Sequence, residues 1–572
     1  MQPPKGPAGG GGLAAPGTGR RRRAGYKGFD RWEYWWEYNK DRFLARKRET
    51  VTYGSGKRVE KDPLNGVREA FLLPALKLAA EDRRPVIRGS ALMALGKVGE
   101  FEVFKELFRG TADENKNVRM AAVLGLSYMP APEVALVLER TLLDPREDRE
   151  VRAFAAGALG LVGSPGSTAV LKWALMDRRQ SIDVRGASAL ALGFFHDEET
   201  LAALERILRD RKEDTRLRAM AAGAIGRRAD VDAVPILVAA LREKTADVRR
   251  AAALALGAIE YKSKAEQWLA LAQKSRLAWN ERHELTEEAI KALEADIERF
   301  TQLAKQEESR FRKIRRGAVR RLVHVADKDS DLQTRGFAMM SLAEIGAPEC
   351  AAPIRKVLDK KSHRLKGWAG LAAGVSGNQA FAPYLRNAFF RKGTDPSIRA
   401  AMALGLGLLN DRSVAKDLTR TALDAGADPD LRGYAITAIA LMGDRDADDL
   451  LAKVLTTKGN PALHRNAALA LGITGRAGSG KQLVRIMDET NDLYVKAAAT
   501  IALGYLREPT SAETLAKAAS DTRAPYLARL YAVLAIGYLG DRQAAPPKLS
   551  RLSWFYNYRV AIPAVDRLTS LL

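Results

Sequence analysis

Small and apolar positions recur along this chain with a period of about 32 residues. One clear copy runs from Val151 to Gly160 as Val-Arg-Ala-Phe-Ala-Ala-Gly-Ala-Leu-Gly, and another runs from Val248 to Gly257. In each copy an Ala-rich stretch begins near a basic residue and ends at glycine. A Leu-rich stretch precedes the Ala-rich one. This pattern predicts stacked two-helix units, none of which buries its apolar face alone.

The basic residue of the motif indexes the repeats. Thirteen second helices are recognisable from the basic residues Arg88, Arg119, Arg152, Arg185, Arg218, Arg249, Arg335, Lys366, Arg399, Arg432, Arg465, Lys496 and Arg529. The pattern predicts an all-α, right-handed α-solenoid (a superhelix) of about 13–14 helix pairs. We interpret the basic residues as one side of an Asp–Arg ladder between repeats, with Asp183 and Arg185 bridging neighbours, rather than as an anion-binding groove.

The period breaks once, because Arg249 and Arg335 are 86 residues apart. The insertion near 262–317 predicts a helical hairpin that projects from the solenoid, and its second helix carries apolar residues at alternating spacings of three and four. The apolar seam is the candidate surface for docking a partner, through Ile290, Leu293, Ile297 and Phe300.

These patterns divide the chain into six parts. They are a Gly/Pro/Arg-rich disordered tail at 1–28, an aromatic N-terminal cap segment at 29–60, a first repeat array at 61–261, the hairpin insertion at 262–317, a second array at 318–545 and a C-terminal cap at 546–572. Trp32, Trp35 and Trp36 share one helical face, and we expect them to cover an exposed end of the solenoid.

The net charge of +24 is unevenly distributed. The first 60 residues hold 14 basic and 6 acidic groups, whereas residues 61–260 are almost balanced. The candidate contacts for a nucleic acid or another polyanion are Arg310, Arg312, Lys313, Arg315, Arg316, Arg320, Arg321, Arg20, Arg21, Arg22 and Arg23. A solvated, charged helix face is the alternative interpretation of the run from 310 to 321.

The sequence offers little catalytic chemistry. The single cysteine, Cys350, excludes a disulfide framework within the chain and a cysteine-based zinc site. The segment from Gly475 to Gln482 is close to a P-loop, but it has Gln482 where the Mg²⁺-binding hydroxyl should be. We therefore predict no catalytic residue, no metal ligand and no cofactor, and no small-molecule substrate is inferred.

The compartment is left open by the sequence. We recognise no cleavable signal peptide in the first residues, which lack an apolar core, and we expect the longest uncharged run, 367–385, to be a repeat helix plus a turn. We expect no transmembrane segment and a soluble, cytoplasmic protein, or an exported one if an upstream signal has been removed.

The repeating unit D-x-x-V-R-x-x-A-A-x-A-L-G over 61–261 and 318–545 resembles the HEAT repeats of bacterial, phycobilisome-lyase-like proteins. The resemblance implies an armadillo-like helical fold in a superfamily that includes scaffolds, lyases, hydroxylases and glycosylases. The hydroxylases use several His-Glu pairs as iron ligands, and this chain has only His283-Glu284. The segment that starts at Trp32 also resembles bacterial HEAT proteins that have no assigned activity.

These observations favour a non-enzymatic scaffold whose concave surface and hairpin bind a protein partner. The alternative is a basic solenoid that binds nucleic acid or another polyanion. A lyase- or glycosylase-like HEAT enzyme is a second alternative, for which the sequence offers no residue set.

Overall fold

The structure of the protein is a computed structural model. It describes residues 32–33, 35–36, 64–99, 101–129, 132–259, 261, 265–280, 286–360, 364–443, 447–456, 461–474 and 479–541. The predicted tail at 1–28 with its four arginines, most of the 29–60 segment, the 546–572 cap and the His283-Glu284 pair lie outside these residues.

All regular elements of the described residues are helices. The first twelve α-helices of seven or more residues are α1 Leu73–Ala79, α2 Pro85–Val98, α3 Phe104–Gly110, α4 Lys116–Leu126, α5 Pro132–Leu143, α6 Arg149–Val162, α7 Ser167–Met176, α8 Ile182–Leu192, α9 Glu198–Arg209, α10 Thr215–Arg227, α11 Val234–Ala240 and α12 Ala246–Ala258. A π-helical turn, Arg68–Leu72, leads into α1.

The insertion and the second array supply the other helices. They are α13 Ala265–Asn280, α14 Glu287–Lys328, α15 Leu332–Glu344, α16 Ala351–Leu358, α17 Lys366–Val375, α18 Ala382–Phe390, α19 Pro396–Leu408, α20 Ala415–Leu423, α21 Pro429–Met442, α22 Ala447–Thr456, α23 Pro461–Thr474, α24 Ser479–Glu489, α25 Leu493–Leu506, α26 Ala512–Ser520 and α27 Tyr526–Gly540. The all-α solenoid that the sequence predicts is confirmed.

The helices form an inner and an outer layer. The inner layer consists of α2, α4, α6, α8, α10, α12, α15, α17, α19, α21, α23, α25 and α27, and each of these packs on the next along its length. Glycine permits this close approach: a Cβ at Gly160 would lie 2.7 Å from Cα of Ala191, and one at Gly193 would lie 2.7 Å from the carbonyl oxygen of Ala224. Neighbouring outer helices touch much less, so the array curves towards its inner layer.

The curvature brings the two ends of the array together. Helix α27 packs on α2, where a Cβ at Gly537 would lie 3.1 Å from Cβ of Ala94. The side chain of Arg68 donates a hydrogen bond of 2.9 Å to the carbonyl oxygen of Gly540. Thirteen repeats therefore complete a ring, which requires a rotation of about 28° per repeat. The sequence pattern did not reveal this closure.

A buried lysine also joins the two ends. Lys97 of α2 places its ammonium 5.6 Å from the ring centroid of Tyr128 and 5.6 Å from that of Tyr538 in α27. Both distances are within the range of cation–π attraction. Burial raises the pKa of the Tyr128 phenol, so this ring stays neutral in the closed array.

The repeated arginine forms a ladder along the inner layer. Arg88 donates two hydrogen bonds of 2.9 Å to Asp113, and Arg185 bridges to Glu213 at 2.9 and 3.0 Å. Arg185 also donates to the carbonyl oxygen of Leu175 at the end of the preceding outer helix. The guanidinium thus caps one helix and binds the acidic turn of the next repeat.

The ladder uses different acids from those named by the sequence pattern. Glu213 lies in the turn before the next inner helix, whereas Asp183 approaches Arg149 of α6 at 3.7 Å. The hydrogen bonds from Arg185 hold the pKa of Glu213 below its usual range despite partial burial.

The inserted hairpin consists of α13 and the first three quarters of α14. The side chain of Thr286 caps α14 by accepting a hydrogen bond from the amide of Ala289. From there α14 continues without a break into the outer layer, where Val319, Leu322 and Val325 are buried. A helix of 42 residues is about 63 Å long, so the predicted boundary between 317 and 318 falls inside one helix.

Trp32 does not cover an end of the array. Its indole contacts α17, α19 and α21 in the second array, through Gly367, Ser397 and Tyr434. The capping prediction is wrong for this residue, because the first and last repeats already cover each other.

Candidate binding groove at the base of the hairpin

The apolar seam of the hairpin holds its two helices together. The rings of Trp268 in α13 and Phe300 in α14 stack with centroids 6.1 Å apart. Ile290, Leu293 and Ile297 lie on the same face as Phe300 and are half-buried. The four residues predicted to dock a partner are therefore engaged within the hairpin to a large extent.

Other apolar residues of the hairpin remain exposed. Leu269, Leu271 and Leu277 of α13 are 50%, 41% and 58% exposed. They lie beside the heptad seam rather than on it. The heptad pattern of the second helix does not point to them, because they belong to the first helix of the hairpin.

Three arginine side chains of the basic run contact the ring. Arg310 pairs with Asp232 in the turn after α10, and this contact raises the pKa of the guanidinium. Arg315 and Arg321 donate hydrogen bonds of 3.4 and 3.3 Å to the carbonyl oxygens of Ile345 and Leu241. These three arginines attach the hairpin to the ring.

The other four members of the run face a groove between α13 and α14. The groove has a volume of about 1050 Å³ and is lined by Ala265, Glu266, Leu269, Thr301, Ala304, Lys305, Glu308, Ser309, Arg312, Lys313, Arg316, Gly317 and Arg320. We call it the hairpin groove. Lys305 is not part of the predicted basic run, although it lies eight residues before Lys313 and thus on the same helical face.

The charge of the hairpin groove is largely uncompensated. Arg312 pairs with Glu308 at 2.8 Å. Lys305, Lys313, Arg316 and Arg320 are exposed, and within the described ranges none of them has an ion-pair partner. Five cations thus oppose the two acids Glu266 and Glu308 in the lining, which gives the groove an excess positive charge beside the apolar surface of Leu269.

Three features that the sequence raised for catalytic chemistry can be located in the described residues. It contains no cluster of three His, Cys, Asp or Glu side chains that could hold a metal ion. Burial raises the pKa of the Cys350 thiol to about 11, so the reactive thiolate is scarce at neutral pH. The P-loop-like segment follows the helix α23 rather than a strand, and its last residues begin α24; residues 475–478 lie outside the description.

Within the described ranges, no helix is both long enough and apolar enough to cross a membrane.

Comparisons with known proteins agree with the fold. The family model for HEAT repeats matches residues 72–149, 141–217, 211–294 and 417–504, and the model for PBS lyase HEAT-like repeats matches residues 334–360. No curated protein matches the chain in sequence.

Several solved structures are similar to the chain. Human deoxyhypusine hydroxylase is 20% identical, with 54% of this chain and 96% of that chain covered and a TM-score of 0.21. The CpcE–CpcF complex of phycocyanin lyase from Nostoc is 17% identical, with coverages of 54% and 94% and a TM-score of 0.29. Yeast importin-beta is 12% identical, with coverages of 88% and 74% and a TM-score of 0.36.

The repeat pattern, the two-layered solenoid and the match of the HEAT model over more than half of the chain agree with one another. The chain belongs to the HEAT-repeat family.

Proposed function

We propose that the protein is a non-enzymatic scaffold in which a closed HEAT ring presents the hairpin groove to an acidic, partly apolar segment of a partner protein. The observation that carries this proposal is the set of unpaired cations beside Leu269. In the first array, by contrast, most of the repeated arginines bind carboxylates of neighbouring repeats. Cations without such partners are available to a ligand.

Ring closure shifts the expected binding surface. In an open superhelix the concave surface is accessible to a large partner. Here that surface is the inside of a ring, and Trp32 already contacts part of it. Helix α14 runs for about 35 Å from Glu287 to Arg310, which pairs with Asp232 of the ring, so the hairpin before that point is an accessible feature.

The lining of the groove favours a protein segment over a nucleic acid. A nucleic acid needs a continuous row of cations that contact successive phosphates. The groove instead includes the acids Glu266 and Glu308 and the half-exposed side chain of Leu269. Arg310, Arg315 and Arg321 are engaged with the ring and do not extend the row. A mixed surface of this kind suits a peptide with both acidic and apolar residues.

The test uses the full chain and two labelled probes: a 20-residue peptide with Glu and Leu at helical spacing, and a 20-base-pair DNA duplex. The groove variant carries Lys313→Glu, Arg316→Glu and Arg320→Glu. The matched control carries Lys274→Glu, Arg276→Glu and Lys291→Glu, which reverse three exposed hairpin charges outside the groove.

We expect the groove variant to bind the peptide at least about tenfold more weakly than the native chain, and the control to stay within about twofold. Binding of the duplex but not of the peptide, lost in the groove variant, would establish the polyanion alternative instead. Equal losses in both variants would contradict the assignment of the groove.

A further inference from the structure

Trp32 is bound to the inner layer by specific contacts. Its indole nitrogen donates a hydrogen bond of 3.1 Å to Oγ of Ser397, which lies 365 positions later in the chain. The Ser397 hydroxyl in turn donates to the carboxylate of Glu33. The indole also lies against Tyr434, with ring centroids 5.2 Å apart and a tilt of 53°. Trp32 is only 4% exposed in this position.

The absence of a side chain at Gly367 makes room for the indole. A Cβ at this position would overlap Trp32, and the three atoms nearest to it all belong to that indole. Gly367 lies near the start of α17, where no positive φ requires glycine. The residue therefore serves the contact with Trp32 rather than the path of the backbone.

The surrounding sector has unpaired basic residues. In the described chain, the ladder positions Lys366, Arg399 and Arg432 of α17, α19 and α21 make no ion pair. Arg399 and Arg432 donate to the carbonyl oxygens of Phe389 and Ala422. In the first array five of the six equivalent arginines meet a carboxylate of the next repeat, and the sixth, Arg152, meets the amide oxygen of Gln180. Glu33 brings an acid into a sector with an excess of positive charge.

We propose that the inner surface of α17, α19 and α21 is a recognition site for a tryptophan followed by a carboxylate, and that Trp32 and Glu33 occupy it as a tethered ligand. Gly367 accommodates the indole, Ser397 binds the indole nitrogen, and Tyr434 forms a wall. A tethered segment has a high effective concentration. A second Trp-Glu segment therefore binds well only when the first is displaced.

The experiment measures binding of a fluorescein-labelled peptide with the sequence of residues 28–40 to three forms of the full chain. Trp32→Ala empties the site, so this variant should bind the peptide at least about tenfold more tightly than the native chain does. Adding Gly367→Ala to Trp32→Ala should abolish binding, because the new methyl group occupies the position of the indole. A peptide with Ala in place of its first Trp is the matched control and should not bind to any form.

Melting curves of the variants check that the ring is intact. With Trp32 replaced by Ala, the three atoms nearest to the added Cβ of Gly367→Ala are gone, and alanine favours a helix over glycine, so the double variant should melt no lower than Trp32→Ala alone. If Trp32→Ala does not fold, Gly367→Ala in the otherwise native chain gives a second test, because it should expel the segment and accelerate tryptic cleavage after Arg31.

Three results would overturn the proposal. The first is no binding of the peptide to a folded Trp32→Ala chain. The second is equal binding with and without Gly367→Ala. The third is binding to the native chain as tight as to Trp32→Ala, which would show that the segment does not occupy the site. None of these variants changes the hairpin groove, so failure here leaves the proposed function untouched.

Discussion

The guanidinium of Arg529 lies 2.6 Å from the carboxylate of Asp82, although the two residues are 447 positions apart. The pair repeats the contact between Arg88 and Asp113 inside the array. Burial acts to raise the pKa of Asp82, but hydrogen bonds from the amide of Arg84 and the side chain of Arg529 outweigh it and lower that pKa. The last repeat thus meets the first through the same interaction that joins consecutive repeats.

Removal of the closing rung should open the ring. Arg529→Ala leaves Asp82 without its partner, and we expect a loss of about 2–3 kcal/mol of unfolding free energy. Because no loop connects α27 to α2, the ends should separate and the radius of gyration from small-angle scattering should increase.

Arg88→Ala is the matched control for that change. It removes an equivalent rung and should cost a similar free energy, but α2 and α4 remain linked through α3. The radius of gyration should therefore stay constant. If neither variant changes the dimensions of the molecule, the rung at Arg529 is not what keeps the ring closed.

Close packing of the inner helices gives a second prediction. A Cβ at Gly96 would overlap the backbone of Gly125, so Gly96→Ala should cost about 1–3 kcal/mol through overpacking. At Gly157, in the middle of α6, no atom lies within 4 Å of the added Cβ, so Gly157→Ala should gain up to about 1 kcal/mol of helix stability. Thermal unfolding measures both, and equal effects at the two positions would argue against the tight inner layer.

Acid should destabilise the contact between α12 and α15, the two inner helices that flank the insertion. Burial acts to raise the pKa of Asp331, but hydrogen bonds from Arg250 and Thr334 outweigh it and hold the value at about 2. Because the pKa of Asp331 is lower in the folded chain than in the unfolded chain, its ionised carboxylate stabilises the fold. This stability is fully present above the pKa of the unfolded chain, and it is lost as the pH falls towards the pKa of the folded chain. Urea unfolding should show a loss of about 2 kcal/mol from this group between about pH 5 and pH 2.

Asp331→Asn isolates that contribution. Asparagine can still cap α15, but it does not titrate and cannot pair with Arg250 as an anion. The variant should be less stable at pH 7 and should depend less on pH in the acidic range. An unchanged pH profile would exclude Asp331 as a source of the acid sensitivity.

The hairpin should respond to changes at its seam independently of the ring. Trp268→Ala removes the stack on Phe300 and should increase proteolytic cleavage within 265–317, while the main melting transition is retained. Leu277→Ala changes a side chain that is 58% exposed and should leave the cleavage rate unchanged. Global unfolding by Trp268→Ala would show that the hairpin supports the ring.

The repeat period predicts the helix pairs and the insertion because each repeat satisfies the same local packing rules. Closure of the ring could not be predicted in this way, since it depends on the sum of the small rotations between successive repeats. In the sequence, Arg529 does not differ from the other ladder arginines. The misassigned role of Trp32 has the same origin, because a cap is needed only where an end is free. The sequence could not show which residues of the basic run at 310–321 contact the ring and which line the groove. That division depends on the path of the continuous helix α14, which determines the face of the helix that meets the ring.

The ring itself is the central claim, and a disulfide tests it most directly. Cβ atoms at positions 94 and 537 would lie 3.1 Å apart, slightly closer than the 3.5–4.5 Å typical of disulfides, so a small adjustment permits a bond. The test variant carries Ala94→Cys and Gly537→Cys in a Cys350→Ala background. After mild oxidation at low protein concentration, mass spectrometry of the intact chain should show the loss of two hydrogens, and the protein should remain monomeric. Free thiols, or disulfide-linked dimers alone, from a folded chain would contradict a closed ring.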